Sequence, residues 1–211
     1  TTDEIADAAC RDYPLGSCPA DGIEWLVLTW DQQGNQAGRF WFAGVLRAWR
    51  LGGESWLVWA GKAQSEHERD EIEDRLWPIG SRQRTADLVA MDVANPNYRQ
   101  RGYLWAAENP RRRICLRGDV RLHPGETWRA VEPSDPRKQA KTSRPAEVHE
   151  WRIHPHHWRS ELHDRMLAGA GHPPWHLPGD PPADYLRSLN AEERSLETRR
   201  VTGGGYEEVL V

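Results

Sequence analysis

Three things are scarce in this sequence of 211 residues, and each scarcity excludes something. Cysteine occurs only as Cys10, Cys18 and Cys115. An odd count with no C-x-x-C pair supports neither a disulfide framework nor a zinc ribbon, and suits a reducing compartment. Lysine occurs only as Lys62, Lys138 and Lys141, so nearly all positive charge is arginine. A GC-rich genome produces that bias without any functional cause. Long apolar runs are missing: nothing approaches the ~20 residues of a membrane-spanning helix. No signal peptide opens the chain, and its first residues, Thr1-Thr2-Asp3 without an initiator Met, read as a cut inside a longer protein. The net charge of −4 argues against a general polyanion coat and leaves room for a local basic groove. What the chain does have is a 38% hydrophobic share that includes twelve Trp, the large aromatics that disordered chains lack. The length fits one large domain or two small ones, enough for a core without staples.

Residues 1–22 are polar and broken by Tyr13-Pro14, Gly16 and Cys18-Pro19, and read as a lead-in to a domain over 23–211. Ile23 to Trp30 (IEWLVLTW) is a nearly continuous apolar run of β-formers, predicting a buried central strand that ends at Asp31, before the turn-like Gln32-Gln33-Gly34-Asn35. Arg39–Trp49 and Ser55–Lys62 predict two more strands, joined as a hairpin by Gly52-Gly53. Ser65 with Glu68 three residues on is a capping box for a helix that Pro78 stops. A strand over Thr85–Met91 leads to Asp92, followed by a helix over Tyr98–Ala107 and a strand over Arg112–Leu116. Gly118 to Pro145 reads as a long irregular loop, and such loops are usually functional or disordered. Then come a strand over Glu147–Ile153, a helix over His156–Leu167, an extended Trp175-His176-Leu177, a helix from Pro181 or Pro182 to Leu189, and a hairpin of Glu193–Val201 and Tyr206–Val211 around Gly203-Gly204-Gly205. The order βββαβα, then β, predicts an α/β mixed sheet with flanking helices, the strand order of an RNase H-like domain.

Asp31 and Asp92 each follow a hydrophobic strand, the first and the fourth, and those two strands are neighbours in an RNase H-like sheet. Hard carboxylate oxygens so placed hold Mg²⁺ or Mn²⁺ with waters left over. Two such ions about 3.5–4 Å apart activate a water and stabilise the leaving oxygen of a phosphodiester. Two close carboxylates without a cation repel, so the pair makes sense mainly with a metal. The plainer reading is that Asp after a strand simply opens a turn.

Several segments, in order, resemble the nuclease domain of the large terminase subunit of tailed phages, in the lambda-type branch. RDYPLGSCP followed by IEWLVLTWDQQ is similar to the approach to that family's first catalytic Asp, with Asp31 and Gln33 matching. GESWLVWAG resembles its next strand, and TADLVAMDVAN the strand ending in the second acidic residue, here Asp92. RRRICLRGD resembles a strand closing on a basic residue and Gly, here Arg117-Gly118. HEWRIHPHHWRSELHDRM, PPWHLPGD and DYLRSLNAEERSLETRR resemble the later strand-to-helix stretch and tail, so that the likeness covers most of 11–211. Trp30 stands where the family usually has Val, and Asp92-Val93-Ala94-Asn95 replaces Asp-Ser-Gly-Gly-His. The family's third carboxylate lies in an Asn-Glu-Ala-Leu-Asp-like motif past the final hairpin. It is therefore expected beyond Val211, while Glu207 and Glu208 fit exposed strand positions.

The resemblance implies a metal-dependent endonuclease that cuts concatemeric viral double-stranded DNA during packaging, in the host cell cytoplasm. Asp31 and Asp92 would hold two Mg²⁺ or Mn²⁺ ions. It also implies partners: the packaging ATPase domain, the small terminase subunit and the portal. No Gly-x-x-x-x-Gly-Lys-Ser/Thr occurs here, so no ATP site is expected in this chain. Two rivals stand beside it: a non-catalytic module of the same fold that holds DNA or docks to the motor, and a resolvase- or transposase-like nuclease, against which the order of the terminal motifs argues. Arg117, Arg121, Lys138 and Lys141, in an arginine-rich region, either line a DNA path or form a solvated face. The histidines between His149 and His176 lack a clean ligand spacing, with His156 and His163 nearest to one, and read as structural rather than as zinc ligands. Trp25, Trp41, Trp49, Trp56 and Trp59 read as buried strand faces rather than as a base-stacking platform.

Overall fold

The structure, a computed structural model, describes residues 5, 11–34, 40–123, 125–131, 145, 147–166, 172–190, 196–200 and 206–210, with backbone alone at 190 and in the last two stretches. The described elements run β1 (Trp25–Gly34), β2 (Phe40–Trp49), β3 (Ser55–Ala63), α1 (Glu66–Asp74), β4 (Trp77–Ile79), β5 (Arg82–Arg84), β6 (Leu88–Asp92), α2 (Arg99–Glu108), β7 (Arg113–Gly118), β8 (Trp128–Val131), β9 (Glu150–Ile153), α3 (Pro155–Met166), β10 (Trp175–His176), α4 (Ala183–Asn190), β11 (Leu196–Arg200) and β12 (Tyr206–Leu210). Eight strands form one mixed sheet in the order β10-β3-β2-β1-β6-β7-β9-β8. β1, β2 and β3 are antiparallel neighbours, β10 adds parallel to β3, and β1, β6, β7 and β9 run parallel. This is an α/β RNase H-like fold, with helices on both faces and a two-stranded β11–β12 pair near the C-terminus.

Period-two burial in β1 decides which face is which. Leu26, Leu28, Trp30 and Gln32 are buried, while Trp25, Thr29 and Asp31 are exposed. The strand is central but only half buried, which corrects the expectation from its apolar run. The buried face joins Phe42, Met91 and Cys115 under α1 and α2, through Ile72, Tyr103 and Trp105. Tyr13 and Cys18 of the lead-in segment pack into the same core. On the opposite face, Leu57 and Ala60 of β3 are covered by Met166 of α3, Trp175 and Leu177, with Tyr185 of α4 packed against them. That cover reaches only the β3 half of the sheet, because no described element packs a core cluster over the same face of β1 and β6. The bare half is where the carboxylates lie.

Glycine lets two indoles lie under this region. Gly44 pairs with Trp30 on one side and with Gly61 on the other. A Cβ at Gly44 would stand 2.2 Å from Cζ3 of Trp30, and one at Gly61 would stand 2.7 Å from the Trp59 ring. The two rings meet edge to face, centroids 5.8 Å apart. Overpacking against a buried ring costs up to about 3 kcal/mol. Gly44→Ala is therefore expected to lower Tm by about 6–12 °C in a chain of this size. A thermal melt within about 2 °C of wild type, less than 1 kcal/mol on that scale, would contradict the packing.

Three expectations change in the structure. β1 does not stop before Asp31: it continues to Gly34, paired residue for residue with β2, because the Gln32-Gln33-Gly34 stretch keeps extended pairing instead of turning. The β4–β5 hairpin appears where a helix end was expected; Arg75 is already extended, and Pro78 sits in a three-residue strand outside the main sheet, where its missing N–H is tolerated. The 118–145 stretch holds β8, which adds antiparallel to β9. Half of the expected capping box forms: Ser65 Oγ accepts from Glu68 N at 3.1 Å, while Glu68 Oε2 reaches one residue past the cap and accepts from Gln64 N at 2.7 Å. Of the five tryptophans expected in the core, Trp56 is buried, but Trp25 is 58% exposed because it shares the open face with Asp31.

Candidate active site

β1 and β6 are parallel neighbours, and their register places Asp31 directly beside Asp92. Neither residue lies past its strand: Asp31 is in the middle of β1 pairing, and Asp92 is the last residue of β6. Both carboxylates leave the open face. Asp31 Oδ2 accepts a short hydrogen bond from Gln33 Nε2, its same-face neighbour two residues on. Asp92 Oδ1 accepts from the Ala94 N–H at 2.7 Å, which fixes its rotamer as the chain leaves the strand. The other oxygen of each carboxyl has no hydrogen bond among the described residues. Partial desolvation in the cleft pushes the Asp31 pKa up and the negative charge of Asp92 adds to this, while the Gln33 bond pulls the other way.

The register continues across the sheet. Lys62 of β3, Ala43 of β2, Asp31, Asp92, Leu116 of β7 and Trp151 of β9 form one row. Residues paired this way point to one face. A cleft of about 740 Å³ opens over the first five and is roofed by Pro182, Asp184 and Tyr185 at the start of α4. A second hollow of about 590 Å³ follows on the same face, over Ile114 and Trp151. Trp128 stacks at a tilt on Trp151, centroids 4.9 Å apart, and is half exposed.

A model of the family described as terminase large subunit gpA, endonuclease domain, matches residues 1–208 of the 211. The chain belongs to that family. No curated protein and no solved structure matches the chain.

The remaining predicted residues are spread out. Arg117 pairs in register with Arg152 and, one residue on from Leu116, leaves from the face opposite the carboxylates. Arg121 lies beyond β7, its side chain 81% exposed and 3.5 Å from Asp119. Lys138 and Lys141 lie outside the described residues, as does the Gly203-Gly204-Gly205 turn. His156 and His163 are on α3, and His176 is paired with Glu54 at 2.9 Å. Among the described residues no group of three or more His, Cys, Asp or Glu is placed to share a metal ion. Lys62 is a lining residue that sequence reasoning missed. Its rarity as one of three lysines was the available signal, and only the cross-strand register gives that rarity a place.

Proposed function

We propose that this domain is a divalent-metal-dependent DNA endonuclease that cuts concatemeric viral double-stranded DNA during genome packaging, with Asp31 and Asp92 as metal ligands. The observation that carries this reading is the in-register carboxylate pair on neighbouring parallel strands, open to a cleft. The donor set fits the group: two hard oxygen donors, each with an unengaged oxygen, in a like-charge pair without a described cation between them. Mg²⁺ and Mn²⁺ accept one or two carboxylates and keep several waters, and two ions so held would supply water activation and charge neutralisation at the leaving oxygen. The protein's own part is orientation. Gln33 and the Ala94 N–H each tie down one oxygen, so that the free ones are presented without rotamer loss.

Double-stranded DNA is the substrate class on this reading. The packaging ATPase domain, the small subunit and the portal would be partners in the host cytoplasm. Arg117, Arg121, Lys138 and Lys141 are candidates for backbone contacts away from the cut. A second reading, a non-catalytic module that holds DNA, is favoured by one observation: only two carboxylates, not three, converge among the described residues. Plasmid cleavage with Mn²⁺, Mg²⁺ or EDTA separates the two. Metal-dependent nicking is expected of the nuclease. Intact plasmid under every condition, from a chain that a thermal melt shows to be folded, would favour the binding module.

A further inference from the structure

We infer that Lys62 is the backbone-phosphate clamp of this cleft, and that Asp184 holds its place when no DNA is bound. The inference rests on the nuclease reading and goes beyond it, to how the substrate is seated.

Charge is the first argument. The described residues lining the cleft include three carboxylates, Asp31, Asp92 and Asp184, and one cation, Lys62. A polyanion entering that cleft meets net negative charge, and Lys62 is the one described lining group that attracts it. Position is the second. Lys62 shares the row of Asp31 and Asp92 but stands two strands from Asp31, with only the Ala43 methyl between them. Two strand spacings are about 10 Å. A phosphate held by Lys62 is thus a near neighbour of one lying over the carboxylates. Lysine suits that role, because it offers a point charge on a flexible stem that can follow a backbone oxygen.

Asp184 supplies the third argument. Lys62 Nζ stands 3.8 Å from Asp184 Oδ2, with side chains 54% and 69% exposed. Such a long, exposed pair is weak and is easily exchanged for a phosphate. Asp184 is not stranded by the exchange, because it also accepts a hydrogen bond from Arg187, one turn along α4. Tyr185, the next residue, is anchored in the core cluster beside Leu57 and Trp175, so Asp184 stays poised over the cleft mouth. The opening of α4 therefore acts as a reversible electrostatic stopper above Lys62.

The test is duplex binding in EDTA, where nothing is cut, measured across a KCl series, with thermal melts as the folding control. Each phosphate contact contributes about 0.9 to the slope of log K against log salt. Lys62→Ala is expected to weaken low-salt binding several-fold and make that slope shallower by about 1, with Lys62→Arg restoring it. Asp184→Asn is expected to tighten binding in the wild-type background and to lose most of that effect in a Lys62→Ala background. An unchanged slope in Lys62→Ala, with normal wild-type binding and cleavage, overturns the clamp and leaves the nuclease intact. Additive effects of the two substitutions overturn the stopper. A wild type that cuts nothing with Mn²⁺ and binds no duplex overturns both the clamp and the reading beneath it.

Discussion

Asp31→Asn and Asp92→Asn are each expected to lower metal-dependent plasmid cleavage by at least about 100- to 1,000-fold. That loss follows from the several kcal/mol of charge stabilisation that a catalytic divalent ion supplies, at about 1.36 kcal/mol per factor of ten. Neither substitution should harm the fold. Asp31 is on the open face, holds only Gln33, and is pushed toward its neutral form by desolvation and by Asp92. A carboxyl whose pKa is raised on folding binds protons more readily in the native state, so stability declines as pH rises from about 4 through the raised value. Asparagine removes that decline. After allowance for solvent screening the gain is at most about 1 kcal/mol, or about 2–4 °C in Tm at neutral pH. The expected combination is lost cutting with an equal or higher melting temperature in EDTA. Addition of Mn²⁺ should then raise the Tm of wild type but not that of Asp31→Asn. Full cleavage by either variant would remove the pair from the mechanism. A strongly lowered Tm would make its role structural.

The adjacency of these two carboxylates was legible because it needs only two facts: that each ends or interrupts an apolar strand, and that first and fourth strands are neighbours in this topology. Finer placement was not legible, for reasons of period and register. A strand such as IEWLVLTW hides its alternation because Val27 and Trp25 are apolar on a face that remains open, so exposure could not be told from burial. The β4–β5 hairpin and β8 are built from strands of three or four residues, too short to show a period, and Pro78 argues against a strand unless it lies outside the main sheet. The parity of Arg117 turns on one residue: Leu116 shares the row of Asp92, so the arginine after it leaves by the other face. Lys62 joins the cleft through β3, β2 and β1 pairing, a three-strand register with a shift between Leu46 and Arg47 that no local pattern encodes.

The largest loss of stability is expected from a residue with no place in the chemistry. Glu73→Ala should cost about 3–5 kcal/mol, more than half of the total for a domain at the lower end of the usual range of about 5–15 kcal/mol. Glu73 is 1% exposed on α1, beneath the sheet face opposite the cleft. Its Oε1 accepts from Trp105 Nε1 at 3.0 Å and its Oε2 from Arg113 Nε at 3.0 Å, with Arg69 Nε 3.6 Å away. Burial pushes the Glu73 pKa up, against the pull of Arg113 and Arg69. The carboxyl therefore ties α1 to α2 and β7 while neutralising two nearly buried guanidiniums. Those cations also rest on rings, Arg69 on Phe42 at 4.9 Å and Arg113 on Trp105 at 5.0 Å. Removing the carboxylate leaves Arg69 with only the half-exposed Asp70 and Arg113 with only Asp70 and the exposed Glu108 as counter-charges, and leaves the Trp105 N–H without its acceptor, which is why truncation costs more than the net worth of the pairs. The consequence is a sign reversal that chemical denaturation can read. Glu73→Ala alone should lower the denaturation midpoint sharply. Joint replacement of Glu73, Arg69 and Arg113 by apolar residues of similar volume should recover most of the loss, because no charge is then left buried. A triple variant as unstable as Glu73→Ala would mean that the network contributes through its hydrogen bonds to Trp105 and to the helix ends rather than through mutual neutralisation.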